Sequence, residues 1–150
     1  MRFSRAFTII ELMFVIVILG ILSAIALPKF ATTKNLADVA KGRSDVMAIR
    51  SAILSERQSQ LIKGINTYIP KLSVNGITLF TGDGNRTLLK YGITASNNDG
   101  KWSASDTTYK KYDFQVDSVL IPFDYNSTTG VFTCVTTAAN SGATCKKMIN

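Results

Sequence analysis

The most hydrophobic part of the chain is a single run near its N-terminus, over residues 7–28. The only polar members of this run are Thr8, Glu11 and Ser23, and nearly all the others are aliphatic or aromatic. An α-helix rises about 1.5 Å per residue, so a helix of this length spans the roughly 30 Å hydrocarbon core of a bilayer. The run therefore predicts a membrane-spanning helix.

The helical pattern continues over residues 29–65, where it becomes amphipathic. Apolar side chains recur at steps of three, four and seven residues and define one face: Leu36, Val39, Ala40, Val46, Met47, Ile53, Leu54 and Leu61. Gly64 supplies a stop signal. A helix from Phe7 to about Ile62 would be roughly 80 Å long, far longer than a small domain can cover. We expect its uncovered apolar part to pack in a membrane first and on sister helices later.

Strand patterns replace the helical one over residues 66–150. Alternating or β-rich runs bounded by turn residues occur in five segments: 76–80, 88–93, 112–116, 119–125 and 131–137. We expect residues 117–125 and 131–137 to form a hairpin, with Pro122 at an edge or a bulge. An antiparallel sheet with one apolar face would cover the second half of the helix, which predicts an α+β fold.

The composition excludes several kinds of chemistry. The chain has no His and only two Cys, which rules out a Ser-His-Asp or Cys-His nucleophile and a four-cysteine zinc site. The sequence also shows no phosphate-binding loop, no paired catalytic carboxylates and no metal-spaced cysteines. We therefore predict a protein that is not an enzyme and that needs no cofactor.

The charge is unevenly distributed along the chain. The net charge is +7, of which residues 66–150 contribute only +2. Arg2 and Arg5 precede the apolar run, an arrangement that places the N-terminus in the cytoplasm and sends the following domain outward. In an oxidising compartment outside the cytoplasm, Cys134 and Cys145 are expected to form a disulfide.

A short basic start before an apolar run is also typical of a cleavable secretory signal or of a plain membrane anchor. In the first case signal peptidase would cut after Ala26 and release a soluble binding domain. Neither alternative explains Glu11. A carboxylate within an apolar span costs roughly 2.5–3.5 kcal/mol on insertion scales, and such a residue normally has a partner.

The run Phe-Thr-Ile-Ile-Glu-Leu at residues 7–12, followed by Gly20 and Pro28, resembles the N-terminal signature of type IV pilins and type II secretion pseudopilins. The resemblance covers about residues 5–30 and includes the spacing of these residues from Glu11. It implies a structural subunit that assembles into a helical filament with copies of itself and with other pilins or pseudopilins. It also implies an inner-membrane assembly platform as a partner.

The resemblance further implies processing by a prepilin peptidase, which would cut between Ala6 and Phe7 and remove residues 1–6 as a leader. Phe7 would then be N-methylated. Family members usually have Gly before the cut, and Ala6 is the next smallest residue, so we expect slower cleavage rather than none. Before assembly the subunit would be a single-pass inner-membrane protein, and afterwards it would lie in a periplasmic or extracellular filament.

Glu11 is the predicted assembly residue, together with Thr8. Cleavage frees an amine at Phe7, little more than one helical turn from Glu11. The carboxylate could pair with its own amine, but the amine of a neighbouring copy fits a staggered stack of helices. Leaving either charge unpaired in a low-dielectric core costs several kcal/mol, which makes such a pair specific for one register.

Gly20 and Pro28 are expected to interrupt the helix. Proline lacks the N–H that would bond the carbonyl four residues earlier, and glycine favours departure from helix. In the related filaments the stretch between the matching residues is partly unwound. A plain bend at Pro28, with helix on both sides, is the alternative.

Charged residues on the second half of the helix fall into two rows. A basic row recurs every seven residues within the apolar arc: Arg43, Arg50 and Arg57. An acidic row lies on another side: Asp38, Asp45 and Glu56. We hypothesise charge pairing between subunits, and the alternative is that the arginine stems pack along their own domain with their heads in water.

The exported domain carries three weaker signals. Asn85 and Asn126 stand in Asn-x-Ser/Thr sequences with Asp two residues earlier, which fits either bacterial N-glycosylation or ordinary turn chemistry. Oxygen ligands for calcium could come from three residues: Asp83, Asn85 and Asp99. Two lysine pairs, at residues 110–111 and 146–147, could contact DNA, although such pairs are also common on solvated surfaces.

Overall fold

The computed structural model describes residues 7–150 and has the α+β architecture that the sequence predicts. Two compact units are distinguished, one ending at Leu36 and the other comprising Ala37–Asn150. The helices and strands of the described chain, in order, are α1 (Ile9–Ile62), β1 (Thr78–Leu79), β2 (Ile93–Thr94), β3 (Trp102–Ala104), β4 (Lys111–Val116), β5 (Val119–Asn126), β6 (Val131–Cys134) and α2 (Gly142–Ile149).

The backbone of α1 is helical without interruption through Gly20 and Pro28. The chain therefore has helix on both sides of the proline instead of the partly unwound stretch that the resemblance implies. A proline removes one N–H from the helical ladder, and the bonds of the neighbouring turns can hold the helix across that gap. Just beyond it, the Thr32 and Thr33 hydroxyls each donate to the Lys29 carbonyl at 2.9 Å.

One face of the second half of α1 forms part of the core. Val46, Ile49 and Ile53 are at most 1% exposed and pack with the inner side chains of the sheet. This face is narrower than the predicted one, since Met47 and Leu54 are 52% and 58% exposed. Each residue advances the helix by 100°, so the predicted apolar arc joined a buried stripe to an adjoining exposed one.

Four antiparallel strands form the main sheet in the order β3-β4-β5-β6, and β1 pairs separately with β2. The predicted hairpin is confirmed as β5–β6, with Tyr125 opposite Phe132. Strands β4 and β5 are joined by a two-residue turn at Asp117 and Ser118, which both have positive φ. Two positive φ values are the mark of the type I′ turn, whose twist suits adjacent antiparallel strands.

Pro122 was predicted at an edge or a bulge, but it lies in β5, an inner strand, and its pairing with β4 continues in register through Asp113. Its carbonyl accepts the Val135 N–H at 3.1 Å, just beyond the end of β6 at Cys134. The N and O of one strand residue point to the same neighbour, so the missing N–H of Pro122 faces the place where pairing with β6 stops. The ladder therefore loses little at this position.

The structure differs from the predicted strands in three further places. Most of the predicted strand at residues 88–93 is irregular and only Ile93 joins β2, whereas β3 and α2 were not predicted.

Strand β3 supplies the fully buried Trp102, whose ring centroid lies 5.0 Å from that of Phe123 and 5.4 Å from that of Phe80. The core is therefore a cluster of aromatic rings between the sheet and the helix.

Two tyrosines carry hydrogen bonds into this core. The Tyr112 hydroxyl donates to the Tyr109 carbonyl at 2.9 Å and lies 2.7 Å from the Ser73 hydroxyl. The Tyr125 hydroxyl donates to the Ile69 carbonyl at 2.8 Å. Burial raises the pKa of Tyr112 above its ordinary value and that of Tyr125 to about 12, because the ionised phenolate is poorly solvated there.

Replacing Ile53 with alanine should reveal how much the helix face contributes to stability. We expect a loss of about 2–5 kcal/mol in the free energy of unfolding, because the substitution leaves a cavity between the helix and the sheet. The matched control is Leu54→Ala on the neighbouring exposed stripe, which should change stability by about 0.5 kcal/mol or less. Urea unfolding of the full chain in detergent, followed by fluorescence of the single Trp102, measures both. Equal losses for the two variants would contradict the assignment of the core face.

Stability should fall at alkaline pH because of the buried tyrosines. An unfolded tyrosine ionises near pH 10, whereas Tyr125 in the folded chain holds its proton to about pH 12. The folded state therefore binds more protons between these values, and its stability decreases as the pH rises through this window, by an amount on the order of 1–2 kcal/mol. Unfolding measured from pH 9 to 12 should show a shallower decline in Tyr125→Phe. Tyr91→Phe, at a position 82% exposed, should follow the wild type.

Candidate functional site

The first part of α1 exposes its apolar side chains on every side. The 18-residue window Ile9–Ala26 has a mean hydropathy of 2.8, and none of it is buried within the chain. By length and composition this helix is able to cross a membrane. A helix that is apolar all round is stable only when lipid or other protein surrounds it.

Thr8 and Glu11 form the N-terminal end of this helix. The Glu11 N–H donates to the Thr8 carbonyl at 3.1 Å and to its Oγ1 at 3.3 Å, which makes Thr8 the N-cap. The Thr-x-x-Glu spacing is that of a capping box, so this helix start could have been predicted from the sequence. A carboxylate in the first turn also interacts favourably with the helix dipole.

Phe7 and the Glu11 carboxylate are the other described groups of the predicted assembly site. Phe7 is 75% exposed and Glu11 is exposed as well, and no cation contacts the Glu11 carboxylate within residues 7–150. Ala6 and the rest of the predicted leader lie outside the described residues. The geometry thus leaves the Glu11 carboxylate open to a partner from outside the described chain.

The basic row of α1 is held by oxygens of its own domain. Arg43 Nη2 donates to the main-chain oxygen of Asn150 at 2.6 Å, and Arg50 Nε donates to the Phe132 carbonyl at 2.9 Å. Arg57 donates to the side-chain oxygen of Asn66. These bonds orient the guanidinium groups, and none of the three arginines pairs with an Asp or Glu side chain among residues 7–150.

The acidic row is engaged inside the domain. Glu56 is 7% exposed and receives both arms of Arg86, with Nε–Oε1 at 2.7 Å and Nη2–Oε2 at 3.1 Å. Asp45 accepts from Lys41 Nζ at 2.9 Å and from Trp102 Nε1 at 3.0 Å. Glu56 therefore joins the helix to the segment that carries Arg86, and Asp45 joins it to β3, while pairing of the acidic row with a neighbour stays a hypothesis.

Asp38 completes the acidic row. Its Oδ2 is buried and has no hydrogen-bond partner among the described residues. The carboxylate lies against Gly100, where an added Cβ would collide with it. Gly100 also has a positive φ of 71°, so both its conformation and its contact favour glycine.

The predicted disulfide between Cys134 and Cys145 is confirmed, with the two Cα atoms 5.9 Å apart. It joins the end of β6 to α2. Met148 of α2 is fully buried. A Cβ added at Gly42 of α1 would lie 2.5 Å from the Met148 Cε, which shows how closely the two helices approach.

Both predicted acceptor asparagines are exposed: Asn85 lies between strands β1 and β2, and Asn126 is the last residue of β5, just before the turn to β6. The Asp83 Oδ1 accepts the N–H groups of Asn85 and Arg86 at 3.0 and 2.7 Å, and the Asn126 Oδ1 accepts those of Thr128 and Thr129 at 2.8 and 3.2 Å. Turn chemistry thus accounts for these sequences. These bonds do not use Nδ2, the atom to which a glycan would be attached, and glycosylation stays a prediction.

The structure gives little support to a calcium site. Asp99 Oδ1 accepts from Gln115 Nε2 at 3.3 Å and from the Ser118 N–H at 2.8 Å, while Asp83 caps its own turn. Within residues 7–150 no group of three or more His, Cys, Asp or Glu is placed to hold a metal ion. Calcium binding by Asp83, Asn85 and Asp99 stays a prediction that no contact in the structure favours.

The lysine pairs proposed for DNA are solvated in part. Lys110 Nζ donates to Ser127 Oγ at 3.2 Å, and Lys111 is exposed at the start of β4. Lys146 and Lys147 are exposed in the last turn of α2, where a positive charge suits the helix dipole. Structural roles thus account for these lysines, and contact with DNA stays a prediction.

Comparison with known proteins agrees with the N-terminal resemblance. Residues 1–27 match the prokaryotic N-terminal methylation motif. The type II secretion system core protein G of Dickeya chrysanthemi is 42% identical over 52 residues, which cover 35% of this chain and 34% of that protein. The corresponding protein of Escherichia coli K12 is 41% identical over 50 residues, 33% of this chain and 34% of that protein. The chain thus matches about a third of the length of these relatives.

One further relative aligns with most of the chain. The type IV major alpha-pilin of Moraxella bovis is 28% identical over 141 residues, which cover 89% of this chain and 86% of the pilin. No solved structure matches the chain. The resemblance is thus confirmed: the chain carries the prokaryotic N-terminal methylation motif and is similar to proteins of both groups, the type II secretion core protein G and the type IV pilin.

Proposed function

We propose that this chain is a non-catalytic structural subunit of a type IV pilus or type II secretion pseudopilus. The observation that carries the proposal is the fully exposed apolar helix at Ile9–Ala26, which continues into a domain with its own aromatic core. Such a helix serves first as a membrane anchor and then as the part of the subunit that packs against other copies.

The energetics of this helix require a non-aqueous partner. Burying one large aliphatic or aromatic side chain contributes about 1.5–3 kcal/mol, and 13 of the 18 residues of this stretch are of that kind. Transfer from lipid into a bundle of like helices keeps these side chains away from water. Docking against other subunits then depends on packing and on polar contacts, because lipid and protein are similarly apolar.

Glu11 supplies that polar contact in the proposed mechanism. After cleavage between Ala6 and Phe7, the Phe7 amine of one subunit would pair with the Glu11 carboxylate of its neighbour. An isolated carboxylate at membrane depth costs roughly 2.5–3.5 kcal/mol, so pairing favours the register that brings the two charges together. Thr8 contributes by capping the helix, which holds the first turn ready for this contact.

The subunit would lie in the inner membrane before assembly and would act with several partners. A prepilin peptidase would process the N-terminus, an inner-membrane platform would assemble the subunits, and other pilins or pseudopilins would join the filament. A pilus is favoured over a pseudopilus because the similarity to the major pilin extends over 141 residues, whereas that to the core protein G of Dickeya chrysanthemi covers 52.

Replacing Glu11 with glutamine should reduce assembly. The variant keeps the size of the side chain but leaves the neighbour's amine unpaired, so we expect about a tenfold or greater loss of filaments counted by negative-stain microscopy after shearing. Immunoblotting of membranes should show a normal amount of subunit. Glu11→Asp, which keeps the charge, should retain more filaments than Glu11→Gln. Normal filament numbers in Glu11→Gln would contradict the mechanism.

The mature N-terminus separates this proposal from a secreted domain. Mass spectrometry of the processed protein should find an N-methylated Phe7, since the peptidase would remove residues 1–6. Ala6→Gly should accelerate conversion of precursor to mature protein in a pulse-chase experiment, because glycine is the usual residue before the cut. A mature chain beginning at Leu27 would instead identify the product of signal peptidase.

A further inference from the structure

A stripe of alternating basic and apolar residues runs along the exposed side of α1. Its members follow one another at steps of four and three residues: Arg43, Met47, Arg50, Leu54, Arg57 and Leu61. The three apolar side chains are 49–58% exposed. Arg50 and Arg57 are oriented by uncharged oxygens and have no Asp or Glu partner in the described chain, whereas Arg43 bonds the main-chain oxygen of Asn150. We call this surface the arginine–leucine stripe.

The stripe borders a groove beside β6, an edge strand of the main sheet. The groove has a volume of about 340 Å³ and is lined by Arg50 and Leu54 on the helix and by residues 130–133 on the strand. Val131 adds a further apolar side chain that is 51% exposed. The groove therefore combines a positive charge with two exposed apolar side chains.

A surface of opposite charge lies at the turn between β4 and β5. Asp117 is exposed and makes no hydrogen bond or ion pair in the described chain, and it is followed closely by Val119 and Leu120, which are 36% and 51% exposed. This hairpin tip, residues 117–120, presents one carboxylate beside two apolar side chains. Its backbone is fixed by the two-residue turn and by a bond from the Ser118 N–H to Asp99.

We propose that the hairpin tip of one copy docks in the groove beside the arginine–leucine stripe of the next copy. In this contact Asp117 faces Arg50, and Leu120 packs against Leu54. The inference rests on the proposed filament function and assigns the surfaces through which the globular domains meet. Ile77 and Tyr91 are also exposed, but Tyr91 fits the groove less well because Lys90 lies over its ring and would face the arginines.

The proposed contact is heterologous, since it joins two different surfaces of the same chain. Each added copy then presents one free groove and one free tip, so the contact repeats without closing into a dimer. The apolar helices of a filament must also contact one another in an arrangement that repeats without closing.

Cysteine cross-linking in filaments tests the contact. Cells would express wild-type subunits together with Leu54→Cys and Leu120→Cys subunits, and sheared filaments would be oxidised briefly and separated without reductant. We expect a cross-linked dimer that is at least fivefold more abundant for this pair than for two control pairs. The first control combines Leu54→Cys with Ile77→Cys, and the second combines Ser55→Cys, on another side of α1, with Leu120→Cys.

The outcomes separate this inference from the proposed function. Absence of filaments in the wild type would reject the function itself. Filaments that give a dimer equally or more strongly with a control pair would overturn the proposed contact. A charge exchange provides a second measurement: Arg50→Glu and Asp117→Arg should each lower filament number several-fold, and the double variant should recover it. Failure of the double variant, together with absence of the cross-link, would also reject the contact.

Discussion

The first half of α1 has no cover of its own, and this constraint shapes the rest of the molecule. Residues 9–25 are all exposed, whereas the core side chains of the helix, Val46, Ile49 and Ile53, belong to its second half. One uninterrupted helix therefore combines a part that folds with its own domain and a part that needs lipid or like helices. A globular domain with its own core can keep its fold while the surroundings of the first half change.

Features set by neighbouring residues were predictable from the sequence. The apolar span, the β5–β6 hairpin and the alternating inner residues of β4 follow from periods that one segment specifies alone. The disulfide was predictable because Cys134 and Cys145 are the only cysteines of a domain expected to be exported. The cap at Thr8 was equally predictable from its spacing to Glu11, since Thr-x-x-Glu is a common start of a helix.

Features that depend on distant contacts were not predictable. The Glu56–Arg86 pair joins residues 30 positions apart, and neither residue signals the other in the sequence. Helix α2 is only eight residues long and is held by the disulfide and by Met148. The predicted core face of α1 was too wide, because contacts with the sheet determine which of two adjoining apolar stripes is buried. Packing of the helix on the sheet buries Ile49 and leaves Leu54 exposed.

The covalent link between β6 and α2 also limits what fraying can do. If α2 unwinds, Cys145 stays within one disulfide of Cys134, so the last residues remain beside the gap that Met148 leaves in the core. Because the segment need not search a large volume, loop-closure entropy opposes its return only weakly. Local unwinding of α2 can therefore be reversed without unfolding of the sheet.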